Sequence, residues 1–318
     1  MKTVVVGAGS WGSAFATLLR DKGHEVTLAA RDPQQVEAIR ETGRNPRYAE
    51  GADLRGIEAA TIAEARVEDA ELVVVAVPSL VFGEVVAALP GSAPILSLTK
   101  GLDPTTGERL STLVQGRRVA VLSGPNIAEE ILRGLPAAAV VASEDLELAV
   151  LLQAAVNSAI FRVYVSGDVP GVELCAAAKN VIALAAGGAD GLQLGDNSKA
   201  ALVSRGLAEM RRLAEAAGAR PDTFAGLAGM GDLIVTCWSP VGRNRRAGAL
   251  IAQGATAEEA RAEIGMVVEG LTTAPVLREL SRRLGIEMPI AEGVCAVLGG
   301  VTLAELVTQL MTRAPTTE

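Results

Sequence analysis

At 318 residues the chain is long enough for two domains of ordinary size, each with a full core. Its net charge of −8 and 3% aromatic content exclude a nucleic-acid surface, which needs a basic face and usually stacking rings. The charge-free apolar run Leu72 to Phe82 contains Pro78 and Ser79 and falls well short of the ~18 residues of a membrane span, so no stable membrane insertion is expected.

The first predicted strand, Lys2 to Val6, begins too soon after Met1 to leave room for a signal segment, so a cytoplasmic location is expected. That strand breaks into Gly7-Ala-Gly9-Ser10-Trp11-Gly12 and continues into an Ala- and Leu-rich helical pattern. The spacing is that of a phosphate cradle. Gly7 turns the chain sharply, Gly9 lets the backbone approach a pyrophosphate, and Gly12 lets the helix pack close to the strand. The free amides of Ser10, Trp11 and Gly12 then sit at a helix N-terminus, where an anion is favoured.

Gly23 stops this helix, and Glu25 to Ala29 reads as the second strand. His24, the single histidine, falls in the turn between them, so proton transfer must be assigned to another residue type. Arg31 and Asp32 stand where a ribose 2′-hydroxyl partner belongs. Arginine comes first and suits a 2′-phosphate, so NADP, or tolerance of both NADP and NAD, is expected over strict NAD use.

Further strand-like runs follow at Leu72–Val77, Ile95–Leu98, Val119–Leu122, Ala137–Val141 and Arg162–Val165, with helical segments between several of them. This alternation implies an α/β fold with a parallel, doubly wound Rossmann sheet. Ligands of such sheets lie beyond the carboxyl ends of the strands. Three strand ends carry polar sequence: Val77-Pro78-Ser79, Thr99-Lys100-Gly101 and Ser123-Gly124-Pro125-Asn126. Lys100 is the candidate for an anion or hydroxyl contact.

Near Asp168 the pattern changes to long Ala/Leu/Val segments at helical spacing. Residues 1–168 are therefore expected to form the dinucleotide-binding domain, and 169–318 an all-helical substrate-binding domain whose last few residues fray. Cys175, Cys237 and Cys295 are odd in number and far apart, so buried thiols are expected, with no disulfide framework and no metal site.

Two clusters in the helical half carry chemistry. Lys179 stands among alanines in Cys175-Ala-Ala-Ala-Lys179-Asn180, where desolvation would lower its pKa towards acid/base use. Gly226-Leu-Ala-Gly229-Met-Gly231-Asp232 presents a carboxylate after a run of glycines. Gly242-Arg243-Asn244 then offers a guanidinium and an amide, expected on a polar loop, to a phosphate or polyol. Cations at Lys100 and Arg243 would depress Lys179, while Asp232 would oppose them.

Taken in order, Gly-Ala-Gly-Ser-Trp-Gly at 7–12, Thr-Lys-Gly at 99–101, Ser-Gly-Pro at 123–125, Ala-Lys-Asn-Val-Ile-Ala at 178–183, Gly-Leu-Ala-Gly-Met-Gly-Asp-Leu at 226–233, Thr-Cys at 236–237 and Arg-Asn at 243–244 resemble the bacterial-type NAD(P)-dependent glycerol-3-phosphate dehydrogenases. The resemblance spans essentially the whole chain. It implies reversible reduction of dihydroxyacetone phosphate to sn-glycerol 3-phosphate for phospholipid synthesis.

The resemblance makes Lys179 the proton-transfer residue. It implies substrate contacts at Lys100, Gly124, Asn126, Lys179, Asp232, Gly242, Arg243 and Asn244. Cofactor contacts are implied at Ser10, Trp11, Arg31, Lys100, Ala128, Arg243, Val267 and Glu269, beside Gly7, Gly9 and Gly12. Two positions depart from the family, which commonly has serine where Asn126 and Gly242 stand. Asn126 keeps a hydrogen-bonding side chain; Gly242 offers only backbone. The expected partner is a small phosphorylated substrate, and a homodimer is compatible with this reading. The alternatives are a β-hydroxyacid or 6-phosphogluconate-type dehydrogenase, which would anchor a carboxylate, and an NAD(P)-sensing protein without turnover.

Overall fold

The computed structural model describes residues 1–306, so the expected frayed tail lies outside the described residues. The strands are β1 Lys2–Val6, β2 Glu25–Ala30, β3 Glu58–Thr61, β4 Leu72–Val75, β5 Ile95–Ser97, β6 Val119–Ser123, β7 Ala137–Ala142 and β8 Phe161–Ser166. Helices α1 Ser10–Asp21, α2 Pro33–Thr42, α3 Ser79–Ala88, α4 Ala128–Leu132 and α5 Leu146–Val156 join them. The sheet order is β3-β2-β1-β4-β5-β6-β7-β8. The chain reverses direction across the sheet between β1 and β4, the switch point at which such folds bind ligands.

The sheet departs from the expected all-parallel arrangement at one place. β6 and β7 pair antiparallel, with Leu122 opposite Val141. Their link holds a helix of only five residues, α4. At ~1.5 Å per residue it is too short to carry the chain back along a strand for a parallel crossover. β7 and β8 are joined by the 11-residue α5 and pair parallel. The edge strand β3 was not expected, because Glu-Ala-Ala-Thr carries almost no β-branched or aromatic signal.

From α6 Val169–Gly191 onwards the described residues form helices: α7 Gly195–Ala216, α8 Asp222–Ala225, α9 Asp232–Trp238, α10 Arg243–Ala252, α11 Ala257–Ile264, α12 Glu269–Leu284 and α13 Pro289–Leu298. α6 is the axis of this half. It is long and apolar enough to cross a membrane by composition, yet 89% of its most apolar window is buried inside the protein. Asp168 caps it: Oδ1 accepts the Gly171 N–H at 3.1 Å, and Oδ2 accepts the Arg220 N–H and the Thr223 hydroxyl. α10 lies directly on α6. A Cβ at Gly248 would collide with the Leu184 carbonyl oxygen, and one at Gly187 with the Arg245 carbonyl oxygen. The small residues of α6 that follow Lys179 thus serve helix contact. The three cysteines are buried and free.

Candidate active site

The sheet and the helical half meet around three charged side chains. Lys100 follows β5, Lys179 lies mid-way along α6, and Asp232 opens α9 after a wide π-type turn, Leu227–Gly231. That turn requires glycine at 229, where a Cβ would strike the Phe224 backbone. The Asp232 carboxylate bridges both lysines, with Oδ2 at 2.8 Å from Lys100 Nζ and Oδ1 at 2.5 Å from Lys179 Nζ. Ser123 Oγ also donates to Oδ2, at 3.2 Å.

A count of donors separates the lysines. An ammonium has three N–H bonds. Those of Lys100 have three acceptors: Asp232 Oδ2, Asn126 Oδ1 at 2.9 Å and the Gly124 carbonyl at 3.3 Å. Among the described residues Lys179 has two, Asp232 Oδ1 and Thr236 Oγ1 at 2.9 Å, which leaves one N–H for another oxygen. Thr236 in turn donates to the Asp232 carbonyl.

Burial pushes the Lys179 ammonium down to about 7; the Asp232 carboxylate opposes the fall and the Lys100 charge adds to it. Burial works against ionisation of Asp232 too, but the two ammoniums win and hold its carboxyl below the usual range. The cation beside Lys179 is Lys100; the Arg243 guanidinium instead donates to the Val267 carbonyl at 3.0 Å.

On the other side of the switch point lies the glycine turn. Gly7 has φ +113°, and a Cβ there would come within 2.5 Å of the Ala76 carbonyl oxygen. A Cβ at Gly12 would collide with the Gly7 carbonyl oxygen, so strand and helix approach as closely as expected. A Cβ at Gly9 would meet nothing within 4 Å. Its surroundings are open, and among the described residues no side chain caps α1, so the first-turn amides near Ser10 and Trp11 are available to an anion. These residues fit a dinucleotide pyrophosphate. Trp11 packs edge-on against Phe15, and its indole Nε1 is buried without a partner among the described residues. Arg31 is exposed directly after β2.

Several other candidates have structural ties that the sequence does not display. Glu269, at the start of α12, accepts from the Ser79 backbone at 3.1 Å and the Ser79 hydroxyl at 2.6 Å, linking the helical half to the start of α3. Its burial raises the carboxyl pKa, against the Ser79 bonds and the Arg243 charge. Gly124, at φ +147°, packs onto the Ala138 and Ala139 backbone, and Ala128 is buried at the start of α4. Asn126 Nδ2 is buried and has no partner among the described residues.

Arg243 and Asn244, expected on a polar loop, open α10 because the Ala- and Gly-rich sequence after them packs on α6. Gly242 is the N-cap of α10 and provides no side-chain cap, so the helix presents bare amides at its start. Asn244 is turned inward. Its amide donates to Asn180 Oδ1 at 2.9 Å and its carbonyl accepts the Gly270 N–H at 2.9 Å, tying α10 to α6 and α12. Thr236, Ser123, Ser79 and Asn180 complete the site; each lies in a stretch whose sequence stands out, but none carries an expected role of its own. For Thr236 a signal existed, since it lies four residues after Asp232 on the same helical face.

The family model for the N-terminus of NAD-dependent glycerol-3-phosphate dehydrogenase matches residues 2–149, and that for its C-terminus matches residues 168–308. A glycerol-3-phosphate dehydrogenase [NAD(P)+] of Azotobacter vinelandii is 46% identical, across 99% of this chain and 95% of that protein. The one from Moorella thermoacetica is 47% identical, across 99% and 96%. The crystal structure of glycerol-3-phosphate dehydrogenase from Coxiella burnetii superposes with a TM-score of 0.93 at 35% identity, covering 98% of this chain and 99% of that one. With both halves matched in order over nearly their full length, the chain belongs to the NAD-dependent glycerol-3-phosphate dehydrogenase family.

Proposed function

We propose that this protein catalyses the reversible NAD(P)H-dependent reduction of dihydroxyacetone phosphate to sn-glycerol 3-phosphate, supplying glycerophospholipid synthesis in the cytoplasm. Residues 1–168 hold the dinucleotide and 169–318 the substrate. The observation that carries this reading is the buried Lys100–Asp232–Lys179 cluster at the junction of the two halves.

The glycine turn and the N-terminus of α1 would hold the dinucleotide pyrophosphate, and the reduced nicotinamide would supply the hydride for the carbonyl carbon. Lys179 gives its one uncommitted proton to the carbonyl oxygen, becoming a neutral amine that solvent recharges. Its pKa near 7 suits a proton that must leave and return at neutral pH. Asp232 aims the ammonium, and Thr236 fixes its second N–H. Lys100 is a fixed positive charge beside the developing alkoxide. Arg243 and the bare amides at the start of α10 hold the substrate phosphate, where guanidinium, helix dipole and N–H groups act on the same anion.

The decisive assay follows nicotinamide absorbance with NADH and NADPH separately, offering dihydroxyacetone phosphate and then unphosphorylated dihydroxyacetone. The phosphorylated compound is reduced far faster, because binding energy at the remote phosphate positions the carbonyl. Equal efficiency on the two compounds overturns the phosphate anchor, and binding without turnover would mark a sensor. A homodimer belongs to the same reading and is checked by mass in solution.

A further inference from the structure

The adenosine end of the dinucleotide cradle contains a second arginine that the glycine motif does not announce. In dinucleotide-binding folds an acidic residue just after the second strand takes the ribose 2′-hydroxyl and thereby disfavours a 2′-phosphate. Asp32 stands at that place, but both of its oxygens are engaged. Oδ1 accepts the Gln34 N–H at 3.0 Å and caps α2, while Oδ2 lies 3.4 Å from Arg47 Nη1.

The backbone at Arg47 is built into the cradle. Asn45 Oδ1 accepts the N–H groups of Arg47 and Tyr48, each at 3.1 Å. The amide of the same side chain donates to the Ala8 carbonyl at 2.9 Å and to Ser13 Oγ at 3.0 Å, inside the glycine turn and the first helix. Gln35, from α2, donates to the Ala8 carbonyl and to Asn45 Oδ1. Asn45 and Gln35 are both buried. Buried amides therefore set the position of residue 47 against the turn that holds the pyrophosphate.

The Arg47 side chain, by contrast, is 65% exposed, and its single ion pair among the described residues is long. Such a pair contributes little to stability, so the fold does not explain the arginine. Its reach covers the carboxylate that would otherwise repel a 2′-phosphate, with Arg31 adjacent to Asp32 in the chain.

We propose that Arg47 is a cofactor-specificity residue that pairs with Arg31 to receive the 2′-phosphate of NADPH, Asp32 acting as its rest partner. The proposal rests on the dinucleotide reading given above. When a 2′-phosphate is present, the guanidinium exchanges one exposed carboxylate oxygen for phosphate oxygens that it can meet bidentately. When the ribose carries a hydroxyl, the Asp32 pair persists and NADH gains nothing from Arg47.

The test is direct binding, by tryptophan fluorescence or calorimetry, of NADPH, NADH, adenosine 2′,5′-bisphosphate and 5′-AMP to the wild type and to Arg47→Ala. The variant weakens NADPH and the 2′,5′-bisphosphate by about tenfold or more, the scale of a lost charge-assisted contact, and leaves NADH and 5′-AMP within about twofold. Asp32→Asn, which keeps an oxygen for the α2 cap, tightens NADPH by removing the repelling charge. Equal losses for NADPH and NADH in Arg47→Ala, or no loss for NADPH, overturn the proposal alone. A wild type that binds none of the four overturns the dinucleotide reading as well.

Discussion

Lys179 Nζ lies 2.5 Å from Asp232 Oδ1, and both groups are almost wholly shielded from water. A buried lysine would ordinarily lose its charge outright; the carboxylate keeps it titrating about 7. The ammonium is the acid for reduction and the amine the base for oxidation. The reduction rate therefore falls as pH rises through about 7, and the oxidation rate falls as pH drops through about 7. Asp232→Asn removes the charge that raises the lysine pKa, so both limbs move to lower pH, and reduction at pH 7 drops by roughly 10²-fold or more. Measuring kcat against pH in both directions checks this; a limb that stays in place in Asp232→Asn would sink the pairing.

The donor count distinguishes the two lysines by experiment. Lys179→Ala lowers kcat by about 10²- to 10⁴-fold with cofactor affinity intact, the range for losing a positioned general acid. Lys179→Arg does not rescue it, because guanidinium holds its proton near neutrality. Lys100→Met behaves differently. It raises KM and, by removing a neighbouring positive charge, shifts the Lys179 limb to higher pH. A loss of kcat in Lys100→Met as deep as that in Lys179→Ala, with no shift of the limb, reverses the assignment.

Asn126 gives an opposed pair of readouts. Its oxygen accepts from Lys100, while its buried Nδ2 has no partner among the described residues. An orphaned buried donor costs about 1–3 kcal/mol of desolvation, which a substrate oxygen would recover. Asn126→Ala therefore lowers kcat/KM by about tenfold, yet the free protein melts no lower than the wild type. Thermal melts with and without substrate, beside steady-state kinetics, read both effects. A variant that is less stable but equally active refutes the role.

The sequence displays what is local and hides what packing brings together. β1, the glycine turn and α1 are consecutive, and each residue there answers to one backbone demand, so that unit was legible residue by residue. Lys179 stood out as a lone charge among alanines. The expected boundaries of β4 to β8 fall within two residues of those observed, because apolar residues fill most of each. β3, Glu-Ala-Ala-Thr, carries almost no strand signal, and the antiparallel turn after β6 depends on the length of α4 rather than on any residue type. The bridging of two lysines by Asp232 joins positions 132 and 53 residues apart, a relation that no local pattern encodes. Asn244 looked like a free amide on a loop because the sequence does not reveal that α10 rotates it towards Asn180 and Gly270.

The Ser79–Glu269 contact joins residues 190 positions apart, and it forms beside the site rather than at its periphery. When the first half of the chain leaves the ribosome, Ser79 and Lys100 have been made while Asp232 and Glu269 have not. Sequence separation on this scale makes closure a late step, paid in chain entropy before any contact rewards it. The nucleotide cradle, built from contiguous chain, can therefore mature ahead of the proton-transfer cluster. During synthesis the glycine turn and Lys100 are made before Asp232 and Lys179 can meet, so a half-made chain lacks the proton-transfer cluster and is chemically silent.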